Sequence, residues 1–208
     1  MKNRSKLLCA VLGAALMTAG GQAFAESTYG YNAAGAGPVT ATARVNFNVA
    51  VPLLVLLRVG GAGGSVDAVN FALTPTVPGI ATLSEGSSVA GSWNPANAPT
   101  FAATPTGNAL TASAWTNSPT NASVTCSATT AFAPASGLAS SSIQVASSAP
   151  VGGGLAHPGT TTACGTPTTL TRNNLQSSTW TFTLAPGALT STAAGSYTQQ
   201  VTYTATTL

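Results

Sequence analysis

Charge is what this chain has least of. Asp and Glu together number three, Lys and Arg six, and there is one histidine in 208 residues. A catalytic site needs groups that ionise, ligate or attack, and so small a stock cannot assemble a metal-binding cluster, a carboxylate acid–base pair or a histidine-dependent triad. No catalytic, cofactor-binding or metal-ligating set is expected, and a small exported hydrolase is the reading that this shortage disfavours most. Long apolar runs are scarce too. Past residue 25 the longest covers residues 49–59 and is broken by Pro52 and Arg58. A membrane helix needs about twenty apolar residues, so no span is expected in the mature form.

The first residues read as a secretory signal peptide, 1–25. Lys2, Arg4 and Lys6 form its basic start, residues 7–17 its apolar stretch, and Ala23-Phe24-Ala25 its small-residue cleavage signal. Cys9 does not make this a lipoprotein leader, because Leu8 precedes it where a small residue would stand. Cleavage before Glu26 leaves Arg44, Arg58 and Arg172 against Glu26, Asp67 and Glu85, so the formal +3 belongs to the leader. A pI near 9.0 therefore argues for no nucleic-acid partner. Two cysteines remain, Cys126 and Cys164, and an even pair in an exported chain is expected to form one disulfide.

What the chain does have is alternation. Val39, Ala41, Ala43, Val45, Phe47, Val49 and Val51 share one face of a segment whose other face is Thr40, Thr42, Arg44, Asn46 and Asn48. Period two predicts a half-buried strand, and thirteen residues would reach about 43 Å. The carboxyl-terminal stretch alternates in the same way, with Tyr197, Gln199, Val201, Tyr203 and Ala205 against Thr and Ser. Between them, the continuous apolar run 53–59 predicts a strand buried on both faces, Gly60 to Gly64 a hairpin loop, and residues 66–73 the returning partner. Further strands are expected at 109–115, 122–132, 141–146 and 179–184.

Strands at this spacing, separated by Pro, Gly, Asn and Ser, predict an all-β sandwich over residues 52–208, preceded by an extension at 26–51. Trp115 and Trp180 fall within alternating strands and are expected in the core, while Trp93 falls in a loop as a weak candidate for stacking on a sugar. His157, inside Gly-Gly-Gly-Leu-Ala-His-Pro-Gly, is expected on a surface turn. The glycines at 60–64 lack the Lys-Ser/Thr ending of a phosphate loop.

This order of leader, alternating extension, sandwich body and alternating final strand resembles the pilin subunits of the chaperone-usher class, among their divergent, spore-coat-U-like members. Gly195, fourteenth from the carboxyl end, holds the place of a glycine common in that family. Thr207 stands where the family often has an aromatic, with Tyr203 the nearest, and Cys126 and Cys164 are central where the family disulfide often ties the first two strands. The resemblance implies an immunoglobulin-like sandwich that lacks its last strand. A periplasmic chaperone lends one, and at the outer-membrane usher the extension of the next subunit replaces it. It further implies other pilin subunits as partners, no cofactor, and a place in a cell-surface fimbrium that supports adhesion or biofilm formation. The donor face would be Val39, Ala41, Ala43, Val45, Phe47, Val49 and Val51, and the receiving side Gly195, Tyr197, Val201 and Tyr203. The alternative is a secreted adhesive or carbohydrate-binding β-module that never polymerises, with 39–51 the first strand of its own sandwich.

Overall fold

The computed structural model describes residues 26–133, 137–148 and 153–207; the expected signal peptide, with Cys9, lies outside them. The chain divides into two compact units, Met1–Val51 and Pro52–Leu208. Among its described residues the second contains nine strands: β1 (Val55–Val59), β2 (Asn70–Thr76), β3 (Thr100–Thr106), β4 (Ala109–Thr116), β5 (Ala122–Thr130), β6 (Ile143–Ser147), β7 (Thr168–Leu170), β8 (Gln176–Leu184) and β9 (Gln200–Thr207). They make one antiparallel sheet of order β1-β4-β8-β6, a second of order β7-β5-β9, and a separate β2-β3 hairpin. This is the all-β sandwich that the alternation predicts.

Period two decides which side chains meet. Ala112 and Ala114 of β4, Trp180 and Phe182 of β8, and Ile143 and Val145 of β6 face Ala122 and Val124 of β5 and Leu170 of β7 in one buried cluster. Alternating large and small residues lets the sheets interdigitate: Trp180, fully buried, lies in register with Leu110 one strand away. The outer faces carry hydroxyls instead of charge. Ser123, Thr125 and Ser127 of β5 stand in register with Thr206, Thr204 and Thr202 of β9. Ser113 and Ser177 of the other sheet share a 2.8 Å hydrogen bond. Short hydroxyl side chains, β-branched where they are Thr, suit an exposed pleated face and keep it wet without lysine or glutamate.

Several expectations are corrected. Residues 26–54 contain no strand, so 39–51 is an exposed chain and not a ladder member. The run 53–59 is not buried on both faces: β1 is an edge strand that turns Val55, Leu57 and Val59 inward and leaves Leu56 half exposed. Its partner is β4, with Leu56 opposite Trp115, and not the nearby 66–73 segment. The glycines at 60–64 therefore join two different sheets and close no hairpin; Asp67 folds back over them, accepting from Gly61 N at 2.5 Å. Gly60 has φ +84 and an added Cβ would sit 1.8 Å from the Asp67 carboxylate, so only glycine fits there. Trp115 lies on the outer face beside Leu56 and Leu175, out of the core.

Cys126 of β5 is bonded to Cys164, 38 residues on, with Cα atoms 5.7 Å apart. The bond pins the irregular stretch between β6 and β7 to the middle of the second sheet. Loop-closure entropy assigns it about 4 kcal/mol. Reduction should lower the urea midpoint accordingly, read as the shift between melts with and without dithiothreitol, and an unchanged midpoint would show that the link is idle.

Candidate functional site

The sandwich is closed at one end and open at the other. Along β8, Gln176, Ser178, Trp180 and Phe182 are buried, yet Leu184, next on the same face, is only half-buried. Along β4 the inward residues Ala112, Ala114 and Thr116 are buried, and Leu110 is not. The same inner face is thus covered at one end and uncovered at the other.

The uncovered end is a groove of about 660 Å³. Its floor is Leu110, Phe132, Ile143, Phe182 and Leu184, one wall is Val69 to Leu73 leading into and along β2, and the opposite wall is Gly195 to Gln199 with Val201 and Tyr203 of β9. Among the described residues β9 has one ladder partner, β5, and no strand pairs with its other edge. Residues 195–199 lead into β9 with no ladder partner among the described residues. An apolar floor beside an unpaired edge is the arrangement that accepts an added strand, since backbone groups supply the bonds and the floor receives alternate side chains. Gln199 sharpens this. Its Nε2 donates to Thr162 Oγ1 at 2.9 Å, while its buried Oε1 has no partner among the described residues. A buried acceptor left unmatched is costly, and an incoming N–H would satisfy it.

Of the residues expected on the receiving side, Gly195, Tyr197, Val201 and Tyr203 all line this groove. Gly195 packs under its neighbour: an added Cβ would meet the Tyr197 hydroxyl at 2.8 Å, while that hydroxyl donates to Ala193 O at 2.9 Å. The floor went unforeseen, because its residues come from β4, β6 and β8 and, with Phe132, from the stretch after β5, far apart in sequence. Their signal was present, as Leu110, Ile143, Phe182 and Leu184 each continue an inward alternation.

The expected donor face is exposed. Val39, Val45, Phe47, Val49 and Val51 are accessible at 54%, 60%, 87%, 83% and 75%. Ala41 and Ala43 are exposed as well.

His157 is corrected outright: it is a core residue. Leu155 and His157 alternate inward as the extended chain 154–158 crosses the closed end of the sandwich, and glycine richness disguised the pattern. Its Nδ1 lies 2.8 Å from Gly159 O, which fixes the proton there, and its Nε2 then accepts from the Tyr203 hydroxyl at 2.9 Å. The ring edge meets Trp180 at a centroid distance of 4.9 Å and Tyr203 at 5.4 Å. Burial lowers its pKa below the ordinary 6.5, outweighing the opposing pull of the Gly159 carbonyl. Burial likewise pushes the Tyr203 hydroxyl well above its usual value. With the folded pKa below the unfolded one, the unfolded chain binds the extra proton first, so stability is full above about pH 6.5 and falls as pH drops towards the folded value. Urea melts at pH 7.5 and 5.5 should show this loss, and His157→Gln should remove that part of the slope; an undiminished slope in the variant would contradict it.

Among the described residues no group of three or more His, Cys, Asp or Glu could hold a metal ion, and no helix is long and apolar enough to cross a membrane. Trp93 is half exposed in its loop, with no second aromatic ring stacked beside it in the described structure. Comparison with protein-family models, with curated proteins and with solved structures gives no match.

Proposed function

We propose that this chain is a structural subunit of a bacterial surface fibre assembled by strand donation, in which a strand drawn from within residues 39–51 of one copy fills the groove of the next. The observation that carries the reading is the pairing of two incomplete features in one chain: an apolar groove beside an unpaired strand edge, and an exposed alternating segment with no ladder of its own. Each is unfavourable in water, and joining them removes both. The groove walls present backbone donors and acceptors, and the floor of Leu, Ile and Phe receives Val and Phe. On this reading the protein is not an enzyme and takes no cofactor. Before assembly a periplasmic chaperone would cover the groove, an outer-membrane usher would guide export, and the destination would be a cell-surface fimbrium serving adhesion or biofilm formation. The rival, a non-polymerising adhesive module, needs 39–51 as the first strand of its own sandwich, and no strand forms there.

Assembly itself is the test. The mature chain should form multimers that resist cold detergent when concentrated or released from its chaperone. A chain that stays monomeric at high concentration, with and without the products of neighbouring genes, would contradict the proposal.

A further inference from the structure

The first unit is not a simple tail. Thr28 Oγ1 donates to Thr42 O at 2.8 Å and accepts from Thr42 N at 2.9 Å, so one hydroxyl holds both backbone groups of Thr42. Two residues on, Arg44 Nε lies 3.7 Å from Glu26 Oε2. Two residues back, Gly30 is so close to the partner arm that an added Cβ would lie 3.0 Å from Thr40 O. Contacts at 26 with 44, 28 with 42 and 30 with 40 keep one antiparallel register. The turn that reverses the chain is built on Asn32, whose Oδ1 accepts from Ala34 N at 3.0 Å, whose carbonyl accepts from Gly35 N at 3.2 Å, and whose Nδ2 donates to Ala36 O. Gly35 and Gly37 supply the positive φ values this reversal needs. Residues 26–44 are thus a clasped ribbon, and 45–51 is single chain.

Resting on the assembly reading above, we propose that the clasp divides the donor segment: only Val45, Phe47, Val49 and Val51 enter the groove of a second copy, while residues 39–44 stay outside and stop the insertion. A strand seated between two walls needs its backbone groups for those walls, and those of Thr42 are already bound by Thr28. Beyond Arg44, among the described residues, no hydrogen bond holds the backbone of 45–51. Length agrees: seven residues extend about 23 Å, within the roughly 30 Å of the nine-residue wall 195–203. The clasp therefore sets register, because the groove can draw the chain in only as far as residue 45.

The test uses the full mature chain. Ala41→Asp with Ala43→Asp places charges on the clasped arm, and detergent-resistant multimers should form at a rate within about threefold of wild type. Val45→Asp with Phe47→Asp should stop them. Hydrogen exchange adds a readout independent of charge: on assembly, protection should rise at least tenfold at Phe47 and Val49 and stay unchanged at Thr42. In the monomer, Thr28→Val should release Thr42 by a similar factor. Multimers lost equally in both double variants, or protection gained throughout 39–44, would overturn the clasp while leaving strand donation standing. Wild-type chains that form no multimers would overturn both.

Discussion

Val45→Asp with Phe47→Asp should abolish multimers and leave the monomer folded. Both side chains are exposed in the single chain, and no strand of the body includes them, so the sandwich loses nothing. In an assembled fibre the same positions would lie against Leu110, Phe182 and Leu184 of a neighbour. Burying three Val and one Phe stabilises by roughly 6–12 kcal/mol before ordering costs are subtracted. Two unpaired carboxylates in that groove would each cost several kcal/mol, enough to cancel the gain. The melt of the monomer should shift by less than about 0.5 kcal/mol, the usual range for exposed changes. Unfolding of the variant monomer would instead place 39–51 inside its own sandwich.

The largest effect on folding should come from Trp180→Ala. Trp180 is fully buried at the centre of β8, its ring 4.9 Å from His157 and 5.0 Å from Tyr203, and its Nε1 donates to Leu155 O at 2.8 Å. Truncation opens a cavity worth about 3–5 kcal/mol and strands a buried carbonyl worth a further 1–3 kcal/mol or so. Against a typical domain stability of about 5–15 kcal/mol, that change should bring the fold near its limit. Trp115→Ala, on the outer face, should cost far less. Urea melts followed by far-ultraviolet dichroism would separate the two, and equal losses would contradict the placement of Trp115 outside the core.

Where alternation was long and one face was buried, the sequence could be read directly. β4, β5, β6, β8 and β9 lie where period two puts them, because a one-residue slip would turn every apolar side chain to water. β3 was missed: all seven of its residues are exposed and Pro105 interrupts it, so it has no buried face to betray it. β7 is three residues long and too short for any period to show. The partner of β1 was misjudged because proximity favoured residues 66–73, whereas the sheet satisfies Val55, Leu57 and Val59 by pairing them with β4. Gly195, Tyr197, Val201 and Tyr203, singled out from the terminal alternation, all line one wall of the groove. The floor was not legible, since three distant strands and Phe132 contribute to it and only their packing brings them together. His157 was hidden by its glycines, which read as a turn although the chain there is extended and inward-facing.

Photocrosslinking from position 47 tests strand donation most directly. With a benzophenone side chain replacing Phe47, irradiated multimers should yield products between copies, and mass mapping should place the far end on groove residues such as Leu110, Tyr197, Phe182 or Val201. Crosslinks confined to a single copy, or landing on the outer hydroxyl face of β5 and β9, would contradict the account.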